Sequence, residues 1–442
     1  MFVLTKQIGL YLIYIGGGIV FFLSLTGKVK YGLLFLIPLI PLQNIFLRLQ
    51  VFPLGKDFND ILLIGMIVGW VIYEISQKRP FFDSSPYNKV LFVYIIFTYI
   101  VLWHGSSFLG LPAPLNPTDP RLQNWKNYMS FPLLFLLVFN NIRDIKGIKR
   151  LFIFMCFSMF IMDYYTMNQI RWIGSWFSRT KLNGTFVWLG PNEVAAFYAS
   201  YTMVLFGVFL FIKEKRWKIA LGILILLNLY CDLFLFSRGA YAATLMGFLL
   251  ISIVRQKKLI IPIVLVLIFW QTVLPEQVVD RIKYTKQSGK LDASAANRLT
   301  YWQESIKYFK ESPLIGTGFN TFIYMGLKRD AHNLFLRTLA EQGIIGLGFL
   351  LWIMILAFRR GWRLYKTAQN NFLKGLGLGF SACVIAVMVG NFFGDRWTYL
   401  QLGAYFWVYL GMVERANTIV VEKVNILKTK RIKTRVEHRI KE

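Results

Sequence analysis

Apolar segments of about 20 residues recur along most of the chain, and they constrain its fold more than any other feature. A helix needs roughly 20 apolar residues to cross a bilayer, where its backbone groups must be paired within the segment. Hydrophobic residues make up 56% of the 442 positions and charged residues 16%, against about 25% charged in a soluble domain. The sequence therefore predicts an all-α polytopic membrane protein with 12–13 transmembrane helices. The predicted segments centre on residues 8–26, 31–47, 59–76, 89–104, 127–141, 148–166, 192–212, 217–236, 239–254, 258–275, 340–358, 374–393 and 397–413.

Two of these segments are irregular. Pro38 and Pro41 interrupt the second, and the fifth is short, so each is a candidate for a half-helix or an interfacial element. No A-x-A-like cleavage site follows the first segment, which favours a retained span over a signal peptide.

Basic residues give the expected orientation. Short loops on the cytoplasmic side of a membrane protein are enriched in Lys and Arg. Basic stretches at 141–150, 213–218, 255–258 and 359–366, and the tail after residue 414, fall on one side if the segments alternate. We therefore expect four regions: transmembrane helices over 1–275, a long extracytoplasmic loop with amphipathic helices over 276–339, further transmembrane helices over 340–413, and a basic cytoplasmic tail over 414–442. Segment parity leaves the side of the N-terminus open between 12 and 13 spans.

The net charge of +28 has two readings, basic loops against anionic lipid or nucleic-acid binding, and the membrane topology favours the first. The stretch 276–331 still holds nine Lys or Arg against six Asp or Glu on the predicted outer side. This excess fits an anionic ligand outside. Cys156, Cys231 and Cys383 lie within apolar segments, so neither a disulfide framework nor a metal site is expected.

Three ionisable residues on the predicted outer side are the main site candidates. Arg238 lies in a very short connection, within "FSRGAYA", and Arg298 lies at the start of an amphipathic helix predicted from "NRLTYWQESIKYF". His332 stands just before an apolar segment, in "DAHNLFLRTLAEQGIIGLGFL". Each has a structural alternative, since Arg238 could extend to the interface and a lone histidine is more often structural than catalytic.

Together these residue types suit transfer of a group that departs with a phosphate. A guanidinium can bind phosphate oxygens bidentately, and an imidazole can take a proton from a hydroxyl near neutral pH. No His or Cys cluster suggests a metal, and no cofactor is expected.

The order of these pieces resembles the O-antigen ligase and O-antigen polymerase superfamily of bacterial envelope glycosyltransferases. The resemblance covers residues 185–413 and rests on "GPNEVAAF", "SRGAYA", "NRLTYW", "PLIGTGFNTF" and "AHNLFLRTLAEQGIIGLGFL", in this order. Residues 1–180 match only as a set of membrane spans.

The resemblance implies a glycosyltransferase C-like membrane fold and an undecaprenyl-diphosphate-linked glycan as donor, used without metal on the periplasmic or outer face of the bacterial inner membrane. Arg238 and Arg298 would engage the diphosphate, and His332 would be the base in an inverting transfer. Four residues are expected to support them: Asn333, Arg337, Glu341, which could pair with Arg337 one turn away, and Arg396.

Two acceptors fit the resemblance. A ligase uses lipid A-core, and a polymerase uses another lipid-linked glycan. A chain-length regulator at the tail is left open, and no nucleic acid is expected as a partner. Alternatives from other classes are a transporter or flippase of lipid-linked oligosaccharide, which usually shows internal repeats, and a sensor or scaffold without chemistry.

Overall fold

A computed structural model describes residues 2–284, 286–287, 290–326 and 330–441, and the described chain is almost entirely helical. Strand β1 (Lys286–Gln287) pairs antiparallel with β2 (Lys290–Leu291). Short 3₁₀ turns lie at Gly55–Asp57, Trp176–Lys181, Lys257–Leu259 and Phe322–Tyr324. The helices are α1 (Phe2–Leu25), α2 (Val29–Leu39), α3 (Gln43–Leu49), α4 (Phe58–Ser76), α5 (Pro86–Phe108), α6 (Pro120–Asn141), α7 (Ile145–Ile170), α8 (Pro191–Phe211), α9 (Lys215–Phe234), α10 (Arg238–Val254), α11 (Ile260–Ile268), α12 (Trp270–Val273), α13 (Glu276–Lys283), α14 (Ala293–Glu311), α15 (Leu334–Thr367), α16 (Asn371–Asn391) and α17 (Leu400–Lys441).

The all-α polytopic architecture is confirmed, with fewer clear spans than the 12–13 predicted. Within the described residues, seven helices are long and apolar enough to cross a membrane, or eight if one bent pair counts as a span. The predicted segment 258–275 is broken at Phe269 into α11 and α12, and nine residues of α11 rise only about 14 Å. Helix α10 is apolar but has only 17 residues.

The bent pair is the segment interrupted by two prolines. Helices α2 and α3 meet at an angle of 106°. Pro41 lies in the break between them, where a residue without an N–H cannot continue the helical ladder. The Thr185 hydroxyl donates to the Pro41 carbonyl at 2.8 Å. A carbonyl at the break thus gains its hydrogen-bond partner from another part of the chain.

Helices α8 and α16 form the centre of the bundle. In each of these helices, 78% of the most apolar 18-residue stretch is buried inside the protein. This share is larger than in the other candidate spans. Small residues bring the two backbones together, since a Cβ added to Gly207 would lie 2.4 Å from the Cα of Gly379. Such close approach is the usual way in which helices associate in lipid, where apolar burial alone gives no driving force.

The predicted basic tail is continuous with the last helix, because α17 runs without a break from Leu400 to Lys441. Glu414 and Arg415, at the predicted start of the tail, are buried in the bundle. Arg360 donates to Glu414 at 2.6 Å and 2.9 Å, and Arg415 donates to the Phe139 carbonyl at 2.7 Å. The bundle therefore extends at least to these residues.

Candidate active site at one end of the bundle

The turn between α9 and α10 is the first element of the site. Phe236, a buried residue of this turn, has a left-handed backbone (φ 54°), and its carbonyl accepts hydrogen bonds from two arginines. Arg179 donates to this carbonyl at 2.8 Å, and Arg281 donates to it at 3.3 Å. Cations are favoured beside unpaired carbonyls at a helix C-terminus. Two arginines from separate segments of the chain thus meet next to Arg238, the first residue of α10.

Asp292 ties this turn to α14. Its carboxylate caps α14 by accepting from the Ala295 N–H at 2.7 Å. The same carboxylate pairs with Arg238 at 2.8 Å and with Arg281 at 3.6 Å. The Asp292 side chain is only 3% exposed, so both pairs are shielded from solvent. The first turns of α14, which carry Arg298, are therefore fixed relative to Arg238.

Five arginines form what we call the arginine cluster: Arg179, Arg238, Arg281, Arg298 and Arg396. Burial, followed by the charges of Arg396 and Arg238, lowers the pKa of Arg298 to about 10. Burial and then the charges of Arg281 and Arg238 likewise lower the pKa of Arg179 to about 10. Guanidinium groups are close enough here to repel one another, which is the environment that an anionic ligand would relieve.

Arg396 joins the cluster from the connection between α16 and α17. Its backbone N–H donates to Asn391 at 2.8 Å, and its guanidinium donates to the Gly390 carbonyl at the end of α16. The residue is only 5% exposed, and its Nε has no hydrogen-bond partner in the described part of the chain. Burial lowers the pKa of Arg396, and the negative charge of Glu193 opposes this effect.

His332 lies beside α14, close to the cluster. Its backbone is left-handed (φ 50°), its side chain is 46% exposed, and Nδ1 is 3.6 Å from an oxygen of Asp330. The Tyr301 ring lies 5.7 Å from the imidazole, and Tyr301 follows Arg298 by one turn. Helix α14 thus brings the sequence-predicted histidine and arginines to one end of the bundle.

Two of the predicted supporting residues, Arg337 and Glu341, belong to a second, mainly acidic network. Arg337 donates to Asp395 at 2.5 Å, to Glu341 at 3.1 Å and to Asn320 at 2.6 Å. Glu341 in turn accepts from the backbone N–H groups of Asn320 and Phe322 at 3.2 Å and 3.1 Å. These contacts fasten the loop before His332 to α15. Asn333 caps α15 by accepting from Phe335 and Leu336 at 3.0 Å and 3.1 Å.

Helix α15 is broken at Gly343, within the Gly-containing stretch that follows His332. Gly343 lies within α15 at φ 63°, which releases backbone groups on both sides. The Ala340 and Glu341 carbonyls accept from the N–H groups of Thr317 and Gly318, at 2.9 Å and 2.8 Å, and the N–H of Ile344 donates to Pro313 at 2.9 Å. The "PLIGTGF" loop thus inserts into the broken helix instead of forming a nucleotide-binding turn.

His104 has a structural position in the same assembly. Its Nε2 is 3.1 Å from the Gly316 carbonyl, which holds α5 against the inserted loop. The neighbouring Gly105 and Gly318 are so close that a Cβ on Gly318 would lie 2.0 Å from the Cα of Gly105.

Replacing Gly343 by alanine should destabilise the protein strongly. The added Cβ would lie 2.2 Å from the Leu314 carbonyl oxygen, and a left-handed backbone alone costs an alanine about 1–3 kcal/mol. We expect Gly343→Ala to lower the melting temperature in detergent. Gly348→Ala is the matched control, because its Cβ would meet no atom within 4 Å in the same helix. Equal melting temperatures for the two variants would contradict the broken-helix account.

Sequence reasoning assigned no role to Arg179 and did not single out Arg281, and these two arginines complete the cluster. The available signal was their position, since both lie in predicted outer segments, where basic residues are depleted in short loops. Among the described residues, no three His, Cys, Asp or Glu side chains are grouped as metal ligands would be.

Comparison with known proteins identifies a family that matches this part of the chain. No curated protein matches the sequence. The family model described as O-antigen ligase matches residues 223–351, the stretch that carries Arg238, Arg281, Arg298, His332 and the broken helix. This partial match supports the predicted relationship of residues 223–351 to the O-antigen ligase and polymerase superfamily.

Proposed function

We propose that this protein is a membrane glycosyltransferase that moves a glycan from an undecaprenyl-diphosphate carrier to an acceptor hydroxyl. The observation that carries the proposal is the arginine cluster beside His332, within a domain of the O-antigen ligase family. The cluster offers several guanidinium groups to one anion, and a diphosphate is a ligand of matching charge and size. Helix α10 begins at Arg238, so its unpaired N–H groups add to the attraction for phosphate.

The proposed reaction needs only one proton transfer at the protein. The Nδ1 side of His332 faces Asp330, which assigns the acceptor proton to Nε2. The acceptor oxygen then forms a bond to the anomeric carbon while the bond from that carbon to the diphosphate oxygen breaks. The leaving diphosphate keeps the electron pair, and the arginines stabilise its charge as it develops. Attack from the face opposite the leaving group inverts the anomeric carbon.

The same reasoning supports an outward-facing site in the bacterial inner membrane. The arginine cluster lies at the end of the bundle where α8, α10 and α15 begin. The short basic connections at 213–218 and 255–258 lie at the other ends of α8 and α10. By the positive-inside rule, those connections face the cytoplasm and the cluster faces the periplasm or outside.

A reconstituted transfer assay tests the proposal. The purified protein is incubated with lipid-diphosphate oligosaccharide alone, or together with lipid A-core. Longer lipid-linked glycan would indicate a polymerase, and glycan on lipid A-core would indicate a ligase. Glycan that crosses proteoliposomes without a new glycosidic bond would overturn the proposal in favour of transport.

Activity should fall as the pH is lowered through about 7. Burial, and next the negative charge of Asp395, raises the pKa of Asp330 to about 7, although Arg337 opposes the shift. A raised carboxyl pKa means that Asp330 is ionised above pH 7 and gains a proton below it, where it can no longer stabilise a protonated imidazole. The check is a kcat profile between pH 5 and pH 9 for wild type and Asp330→Asn, with pH expected to affect the variant less near 7. An identical acidic limb in both proteins would exclude Asp330 from the step.

A further inference from the structure

A polar cavity lies on the other side of Asp330 from His332. Its volume is about 660 Å³, and it is enclosed by the outer ends of α4 and α6, the start of α15 and the segment before α17. This volume lies within the range of about 300–1,000 Å³ that is usual for ligand sites. The arginine cluster contributes no residue to its wall.

The wall is unusual because many of its residues carry side-chain amides. Small-molecule pockets are mostly apolar with few polar groups. Here amides come from several separate segments of the chain, including Gln123, Asn124, Asn127, Asn320, Gln342 and Gln401. An amide offers both donors and acceptors, which suits a ligand that has many hydroxyl groups.

The charged groups in the wall are largely paired with one another. Lys126 contacts Asp60 at 2.5 Å, and Arg337 is held by Asp395 and Glu341. The wall holds five carboxylates against three cations, so it offers no excess positive charge to an anion such as a diphosphate. In contrast, Oδ1 of Asn59 and Oε1 of Gln342 are buried without a hydrogen-bond partner in the described chain. Gln342 is only 6% exposed and lines the cavity, so a hydroxyl of a bound ligand could supply the partner that its acceptor lacks.

We propose that this cavity binds the saccharide of the acceptor, an uncharged hydroxyl-rich oligosaccharide. This inference rests on the proposed function and adds a place for its second substrate. Asp330 contributes to the cavity wall and lies 3.6 Å from the His332 imidazole, which in turn lies beside α14 and its Arg298. His332 is therefore between the two sites, where an acceptor hydroxyl would have to meet a diphosphate-linked anomeric carbon.

Equilibrium binding of a lipid-free sugar tests the cavity separately from catalysis. The probe is the oligosaccharide released by mild acid from the surface polysaccharide of the source cells, titrated against protein in nanodiscs by saturation-transfer NMR. Asn127 is exposed in the cavity wall, so Asn127→Trp should fill the space without disturbing the core. We expect the half-saturation concentration to rise at least tenfold. Gln77→Trp, the matched control at the other end of α4, should leave it unchanged, and so should Arg238→Ala.

The outcomes separate this inference from the proposed function. Unchanged binding in Asn127→Trp, no binding by wild type, or lost binding in Arg238→Ala would overturn the cavity assignment, whatever the transfer assay gives. Binding that depends on Asn127 in a protein without transfer activity would support the cavity and remove the glycosyltransferase proposal. If Asn127→Trp does not fold, as judged by its melting temperature, Asn124→Leu makes the same comparison from the neighbouring turn of α6.

Discussion

His332→Asn is expected to lower the turnover number of glycan transfer by about 100- to 10,000-fold, the usual contribution of a general base. The proposed reaction has a single group to take the acceptor proton, and an amide cannot do so. The measurement is kcat in the reconstituted assay at saturating donor and acceptor. Donor binding should change little, because the arginine cluster that would hold the diphosphate is left intact.

Asparagine is the informative substitution because of the backbone at this position. His332 has φ 50°, a conformation that asparagine adopts more readily than most residues. His332→Asn therefore removes the imidazole with little added strain, whereas His332→Ala combines both effects. Membrane insertion and melting temperature of His332→Asn should match those of wild type. A wild-type rate in this variant would mean that His332 has a structural role.

Arg238→Lys should lower kcat/KM for the lipid-diphosphate donor by about 10- to 100-fold. A hydrogen bond to a charged group contributes about 1.5–3 kcal/mol, and each 1.4 kcal/mol is a factor of ten. Lysine keeps the charge but loses the planar fork with which arginine can hold Asp292 and phosphate together. Arg298→Ala should also reduce donor use, and full activity in that variant would remove Arg298 from the site.

Arg171→Lys is the matched control for this experiment. Arg171 is exposed just after α7, in the same outer connection as Arg179, but outside the arginine cluster. Comparable losses in Arg171→Lys and Arg238→Lys would show that the loss does not depend on the geometry at the start of α10. The salt dependence of donor KM gives a second check, because exposed charges are screened more strongly than buried ones.

Local sequence patterns predicted much of the fold. Long apolar runs gave the positions of α8 and α16, and Pro41 marked the break between α2 and α3, because a missing N–H acts within one helical turn. The same approach overcounted spans at 258–275. Hydropathy over that segment is high, but it does not reveal that the helix ends at Phe269.

The sequence predicted the position of the amphipathic helix α14, but it did not predict which face of the helix packs against the protein. Two apolar residues of this helix, Leu299 and Ile306, are 47% and 42% exposed. The buried stripe instead carries Tyr301, Ser305 and Tyr308. In a membrane protein apolar side chains can face lipid, so hydrophobicity alone does not indicate which face of a helix packs against protein.

Local features of the sequence were enough to identify a helical membrane protein with an O-antigen ligase-like stretch, because span length, basic loops and the motif around His332 can each be read from neighbouring residues. Only the tertiary structure decided that Arg179 and Arg281 join Arg238, since both are held by one carbonyl in a turn between other helices. The polar cavity next to Asp330 likewise exists only where separate segments of the chain pack together. Contacts between residues more than 40 positions apart depend on how the helices pack, and no periodicity along the chain encodes that packing.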